Sequence, residues 1–269
     1  MLKIIKMNDI FIFILLLIIS LLSIGPLIFI IIGMTNDSSF VFNTMNNLYF
    51  GKNFIENFST LSNSFDVPKV FLNSLFVAFA NALLGISLMF LAAYAFAIYD
   101  FKGKKLLFII CIITMMIPGN VIIINKFRVI SMFGLKNSYL GLILPTVVNI
   151  HVLLLLVKNI EYLNKEVLES ARIDGANELT IMLKVGFPAV FSYIIIGFFN
   201  MFVHSWNNFL LPLLTINTEE YFTLPIMISS IADPLRFKFG AVFVGAFIAI
   251  VPVVILLIIV SKYIFRKMN

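Results

Sequence analysis

The side chains best suited to chemistry within the apolar stretches of this sequence are amides and imidazoles. Asn200, His204 and Asn207 recur at i, i+4 and i+7, so they share one face of a predicted helix. Asn149 lies midway along another apolar run. Amide and imidazole groups donate and accept hydrogen bonds, which is what a hydroxyl-rich solute requires of its binding partner. Two interpretations stay open: these residues line a translocation pathway, or they form ordinary hydrogen bonds between helices.

Motifs for covalent, metal or nucleotide chemistry are absent from the sequence. It has no serine nucleophile elbow, no H-E-x-x-H run and no Cys/His cluster with metal spacing, and its single cysteine is Cys111. The nearest approach to a phosphate-binding loop, Gly103-Lys104-Lys105, lacks the first glycine and the hydroxyl residue. We therefore expect no enzyme activity, no metal and no cofactor in this chain.

The composition places these residues in a membrane protein. Hydrophobic residues make up 61% of the chain, charged residues 12%, and the mean hydropathy is +1.09. A soluble fold cannot bury that much apolar surface, so the sequence predicts an all-α, multi-pass protein of the cell membrane, in contact with lipid and not with nucleic acid. Six charge-free runs are long enough to span a bilayer, at 10–34, 70–99, 106–125, 138–157, 185–218 and 239–261.

The fifth run and the charge distribution decide the topology. The run of 185–218 would measure about 51 Å as one helix, which is too long for one perpendicular span and too short for two spans and a turn. We therefore expect one span at about 191–211, with an interfacial helix before it. If both termini are cytoplasmic, inner segments carry 12 of the 19 lysines and arginines and outer segments carry seven. That bias favours an arrangement with both the N and C termini inside. No Asp, Glu, Lys or Arg falls within a span, which indicates that a separate protein supplies energy.

The longest inner connection, 158–188, has a distinctive local pattern. Asn164 can cap a helix over 165–173, and Gly175 can close that helix in the left-handed conformation. Asn177 can cap a second helix over 178–187. The result is a helix, a glycine corner and a second helix. It is either an amphipathic connector at the membrane surface or a docking surface, because small residues allow close approach.

The connection resembles a known loop. E-S-A-R-I-D-G-A, followed nine residues later by V-G-F-P, resembles the EAA-x3-G-x9-I-x-L-P loop of ABC importer permeases. Glu169, Ala171, Gly175 and Pro188 match in register. The I-D-G-A form that begins at Ile173 is similar to the carbohydrate-importer branch, typified by the smaller membrane subunit of the maltose importer. Pro188 is expected in the first turn of the fifth span.

Other motifs extend the resemblance over about 70–261. They are N-S-L-F-V-A at Asn73, A-A-Y-A-F-A at Ala92, M-M-I-P at Met115, F-G-L-K-N-S at Phe133 and W-N-N-F-L-L-P-L at Trp206. The sequence departs from the family where prolines are usual near 125 and 163–164. It departs again where Tyr99-Asp100 replaces an arginine and where Asn208 replaces an acidic residue. These departures leave the solute open.

The resemblance implies a type I ABC importer permease fold with six transmembrane helices. Its parts would be a first helix and outer loop (1–69), a permease core (70–261) that contains the coupling loop 158–188, and a cytoplasmic tail (262–269). The implied partners are ATPase subunits, as a homodimer, a second permease subunit and an extracellular or periplasmic solute-binding protein.

The resemblance also assigns roles within the loop. Glu169 would make polar contacts with the ATPase, Ala171 and Gly175 would allow close packing against it, and Asp174 would support the corner. Ile173 and Pro188 complete the implied coupling residues, and ATP-driven closure of the partners would switch the spans between inward- and outward-open states. Two alternatives remain, namely the same architecture serving a polyamine or phosphate ester, and a stand-alone carrier or channel.

Overall fold

The computed structural model describes residues 7–43, 48–232 and 238–268. These residues form helices joined by turns and contain no β-strand, which confirms the all-α prediction. The α-helices up to residue 161 are α1 Met7–Gly33, α2 Phe40–Asn43, α3 Phe54–Ser64, α4 Val67–Ile98, α5 Lys104–Met115, α6 Ile123–Met132, α7 Tyr139–Ile143 and α8 Ile150–Glu161. The rest are α9 Lys165–Ile173, α10 Glu178–Ile181, α11 Phe187–Ala189, α12 Phe191–Trp206, α13 Leu210–Thr215, α14 Leu224–Ile231 and α15 Phe239–Met268.

The chain divides into two compact units, 1–67 with 227–251 and 68–226 with 252–269. In the first unit, the Asn57 side chain ties the end of α1 to α3. Its Nδ2 donates to the carbonyl oxygens of Met34 at 3.0 Å and Asn36 at 2.7 Å. None of the most apolar window of α1 is buried in the structure, so this helix presents its apolar surface outwards.

The second unit is organised around α4, in which 44% of the apolar window is buried. Asn81, buried in the middle of α4, donates to the carbonyl of Ile143 at 3.1 Å and to Oγ1 of Thr146 at 2.7 Å. Near the start of α4, Asn73 donates to the carbonyls of Glu220 and Phe222. Such bonds replace the water that buried amides lose in a bilayer, and they fix α4 against its neighbours.

Two glycines allow the helices of this unit to approach closely. A Cβ on Gly197 of α12 would lie 2.7 Å from Cδ1 of Ile86 and 2.9 Å from Cγ1 of Val152, so α12 packs directly on α4 and α8. A Cβ on Gly85 of α4 would lie 2.7 Å from the carbonyl oxygen of Val147. Small residues at helix contacts are how membrane helices gain packing contacts, because lipid supplies no hydrophobic drive for their association.

Within the described part of the chain, three helices are long and apolar enough to cross a bilayer: Ile10–Gly33, Val67–Ile98 and Phe239–Ile264. The number rises to five if each of two bent helix pairs is counted as one span. The sequence predicted six, and the difference lies in the third run. There α5 ends at Met115 and α6 begins at Ile123, because Pro118 disfavours helix at the residue before it.

The fifth run agrees with its prediction at the start of the span, Phe191, and differs at the end, because the helix stops at Trp206 and not near 211. Helix α12 covers Phe191–Trp206, and a bend of 79° separates it from the helical stretch Glu178–Ala189. Pro188 therefore lies before the bend, in the last turn of the preceding stretch, and not in the first turn of a span as predicted. Since proline lacks an N–H and crowds the preceding turn, its position is consistent with a break there.

Candidate functional site

The predicted two-helix connection forms as the sequence indicates. Helix α9 covers Lys165–Ile173, and Oδ1 of Asn164 accepts a hydrogen bond from the backbone N–H of Glu166 at 2.9 Å. Oδ1 of Asn177 accepts from the N–H of Thr180 at 2.8 Å at the start of α10. Both caps satisfy donors that a helix start leaves open. We call residues 164–188 the docking segment.

The corner between its two helices is closed by backbone hydrogen bonds around Gly175. The N–H of Ala176 donates to the carbonyl of Ala171 at 3.1 Å, and the N–H of Gly175 donates to the carbonyl of Arg172 at 3.0 Å. This is the Schellman pattern, and it requires the left-handed backbone that Gly175 adopts at φ 83°. The exposed Asp174 carboxylate makes no hydrogen bond with the described residues, so its backbone N–H, which donates to Ser170, is its contribution to the corner.

One face of the docking segment is buried and the other is open. Leu168 and Ile181 are at most 2% exposed and anchor the two helices. Glu169 and Gly175 are exposed, Ala171 is half-buried, and Ile173 is 86% exposed. The residues matched to the coupling motif therefore lie on the accessible side. Ile173, which is exposed beside the corner at Gly175, is an apolar contact point available to a partner.

A polar cluster that the sequence analysis missed ties this segment to α4. Oε1 of Glu178 accepts from Nε of Arg172 at 2.7 Å, and Oε2 accepts from the hydroxyl of Tyr99 at 2.7 Å. Burial and the hydrogen bond to Glu178 raise the pKa of Tyr99 to about 12, so its phenol remains a hydrogen-bond donor in alkaline as well as neutral solution. Tyr99 and Glu178 are 79 positions apart, so no local spacing pointed to the pair. The only sequence signal was Tyr99-Asp100 at a position where the family usually has arginine.

A second contact with α4 lies at the other end of the segment. Between α10 and α11 the backbone forms a π-helical turn, Met182–Gly186, in which the N–H of Phe187 donates to the carbonyl of Met182. Gly186 is buried, and a Cβ there would lie 2.9 Å from Cε2 of Tyr94, a side chain that is 2% exposed. The docking segment thus touches Tyr94 within α4 and Tyr99 directly after its end, two points through which its displacement can reach a long helix.

The four predicted pathway residues form two separate pairs. Nδ2 of Asn149 donates to Oδ1 of Asn200 at 3.3 Å, and Asn149 also caps α8 by accepting from the N–H of Val152. His204 and Asn207 line a cavity of about 410 Å³. Asn149 and Asn200 are not among the residues that line it. Asn149 and Asn200 thus form a hydrogen bond between helices, as one of the two interpretations expected. His204 and Asn207 instead face the cavity.

The cavity contains further polar residues that the sequence analysis did not select. Asn120 and Lys126 come from the segment around the break between α5 and α6, and Asn208 follows Asn207. Sequence reasoning placed 106–125 in one continuous helix, which hid the break at Pro118 that brings Asn120 to the cavity. Lys126 immediately follows that run and was counted only as an outer charge.

Comparisons with known proteins agree with this architecture. Residues 85–269 match the family described as the binding-protein-dependent transport system inner membrane component. The chain is 32% identical over 251 residues to the arabinooligosaccharides transport system permease protein AraQ of Bacillus subtilis (strain 168), which covers 91% of this chain and 88% of AraQ. It is 27% identical over 231 residues to the lactose transport system permease protein LacG of Rhizobium radiobacter, covering 86% and 84% of the two chains.

A solved structure has the same fold. A chain of a bacterial ABC transporter involved in the import of the acidic polysaccharide alginate superposes with a TM-score of 0.81, over 96% of this chain and 97% of that one, at 20% identity. A membrane component of this kind works in general with an ATPase, a second permease and a solute-binding protein, and is a transport component and not an enzyme. From the family match and the identity to AraQ, the chain belongs to the inner membrane components of binding-protein-dependent transport systems.

Proposed function

We propose that this chain is one of two permease subunits of an ATP-driven importer of carbohydrates. The observation that carries the proposal is the docking segment, in which the residues matched to the coupling motif lie exposed around a left-handed glycine. The carbohydrate assignment is supported by AraQ and LacG, whose names specify arabinooligosaccharides and lactose. A homodimer of ATPase subunits and an extracellular or periplasmic binding protein complete the proposed assembly.

The proposed topology is the type I arrangement of six spans with both termini cytoplasmic. Helix α5 has 12 residues, or about 18 Å, and the apolar stretch that continues to residue 125 supplies the remaining depth of a third, broken span. Non-helical backbone is tolerated at that depth where it is buried in protein or borders a water-filled cavity. Asn120, which lines the polar cavity, is consistent with such a break. The proposed division into parts stays at 1–69, 70–261 with the coupling loop 158–188, and 262–269.

In the proposed mechanism, the docking segment transmits the motion of the ATPase. Glu169 and Asp174 offer charged contacts, Ile173 an apolar one, and Ala171 and Gly175 permit close approach. Movement of the segment reaches α4 through the hydrogen bond between Glu178 and Tyr99 and through the packing of Gly186 on Tyr94. Pro188 and the adjoining π-turn provide the bend at which the segment joins α12. The chain itself makes and breaks no covalent bond.

The solute path in this chain is proposed to pass the cavity bordered by His204 and Asn207, with Asn149 and Asn200 holding α8 and α12 together beside it. Amide and imidazole groups can exchange hydrogen bonds with sugar hydroxyls along such a path.

Uptake into proteoliposomes tests the function. The assembled transporter, with its binding protein outside, is expected to accumulate a labelled oligosaccharide only when ATP is hydrolysed at the ATPase subunits. A non-hydrolysable ATP analogue is expected to reduce uptake to background. Equal uptake without ATP would replace the proposal with a stand-alone carrier. ATP-driven uptake of a polyamine but of no oligosaccharide in a panel would retain the permease and overturn its solute.

A further inference from the structure

The polar cavity beside α12 has an unusual charge balance. Its lining comes from two parts of the chain, 101–160 and 179–218, and neither contains an aspartate or a glutamate. No carboxylate of the residues that the structure describes therefore lines the cavity. The nearest acidic residues along the chain on the C-terminal side, Glu219 and Glu220, lie on a 3-10 turn, and the Glu220 carbonyl bonds to Asn73.

Lys126 is the lysine that lines this cavity, and it also borders a neighbouring, mostly apolar cavity of about 590 Å³. It is half-buried and forms no ion pair with any described residue. The other polar side chains that line the cavity are neutral or can become positive; they are Asn120, Thr146, His204, Asn207 and Asn208. A partly desolvated lysine without a counter-ion costs free energy, and an anionic ligand that enters the cavity recovers it.

Further positive charge lies near Lys126 in the sequence. Arg128 is exposed on the same helix as Lys126, and Nζ of Lys136 lies 4.5 Å from the ring centroid of Phe127. Neither Arg128 nor Lys136 lines the cavity, so Lys126 is the lysine there that would attract an anionic solute and repel a cationic one such as a polyamine.

We infer that Lys126 determines specificity and that the cavity takes an oligosaccharide bearing a carboxylate or phosphate group. This inference rests on the proposed function, because it names the solute class of the same pathway. The ammonium pairs with the acidic substituent, and the asparagine amides and the imidazole of His204 meet the hydroxyls. A charge-assisted hydrogen bond of this kind contributes enough to discriminate acidic from neutral sugars by about tenfold.

Equilibrium binding to the permease pair with its ATPases, in nanodiscs of zwitterionic lipid, tests the inference. The probes are trigalacturonate and the neutral trisaccharide galactotriose. Wild type is expected to bind trigalacturonate about tenfold more tightly than galactotriose. Lys126→Gln should remove that preference, and Lys126→Arg should retain it. The matched control is Arg128→Gln, which deletes a cation two positions away on the same helix but outside the cavity lining.

Three results would overturn the inference: no preference for trigalacturonate in wild type, a preference that survives Lys126→Gln, or no binding of either trisaccharide. Loss of bound phospholipid in Lys126→Gln with unchanged binding of both trisaccharides would instead assign the lysine to a lipid phosphate. If the proposed function is wrong, wild type shows no ATP-driven uptake. If only this inference is wrong, that uptake remains and only the preference for trigalacturonate is missing.

Discussion

Replacing Gly175 by valine is expected to reduce ATP-driven uptake by about tenfold or more, while the amount of chain in the membrane stays near wild type. Gly175 holds φ 83°, and a Cβ there would meet no atom within 4 Å. The added Cβ therefore meets no other described residue. It strains the corner by roughly 1–3 kcal/mol and adds bulk to the surface proposed to contact the ATPase. The measurement is uptake per assembled transporter, alongside the membrane level of the chain.

The matched control is Gly134→Val. Gly134 follows α6 in the same backbone pattern, with φ 66°, an N–H that donates to Ser131 and a following residue, Leu135, that donates to Ile130. A Cβ there also meets nothing within 4 Å, so the backbone strain is equivalent but lies outside the docking segment. Normal uptake by Gly175→Val, or an equal loss in both variants, would refute the coupling role of this corner.

Replacing Gly85 by alanine is expected to destabilise the folded chain. The new Cβ would collide with Cε of Met201, which can move, and would approach to 2.7 Å the carbonyl oxygen of Val147, which belongs to the backbone. Overpacking of this kind costs about 1–3 kcal/mol. That exceeds the roughly 0.5–1 kcal/mol that alanine gains over glycine within a helix. We therefore expect the unfolding midpoint in detergent to fall by about 2–5 °C.

Gly25→Ala is the control for helix propensity. Gly25 lies within α1, and a Cβ there meets nothing within 4 Å, so this substitution should be neutral or slightly stabilising. A Gly85→Ala chain as stable as Gly25→Ala would mean that α4 does not pack on its neighbours as closely as the structure shows.

Local signals in the sequence predicted the first helix, the caps and the corner of the docking segment to the residue, but not the π-helical turn within its second half. Asn164, Gly175 and Asn177 form the predicted caps and corner, because each acts within five residues of its own position. The same reasoning missed the bond between Tyr99 and Glu178. That contact depends on how α4 lies against the segment, which no spacing along the chain encodes.

The prediction of spans from apolar runs was less complete for a physical reason. Hydropathy reports which residues prefer lipid but not where the backbone breaks. Pro118 and Gly119 sit inside the third run and leave it free of charge, and Pro188 lies near the end of a helical stretch within the fifth. Those breaks place Asn120 at the polar cavity and turn α12 away from the docking segment. The polar cavity and the join between the docking segment and α12 therefore both lie at backbone breaks within the apolar runs.

The most direct test of the central claim is purification of the tagged chain from its own membranes in mild detergent, with mass spectrometry of the proteins that accompany it. The account predicts that an ATPase and a second permease copurify, and that replacing Glu169 and Gly175 together with lysine and valine removes the ATPase but retains the permease. If the double variant retains the ATPase at the wild-type ratio, the docking segment is only a surface connector and the coupling claim is wrong.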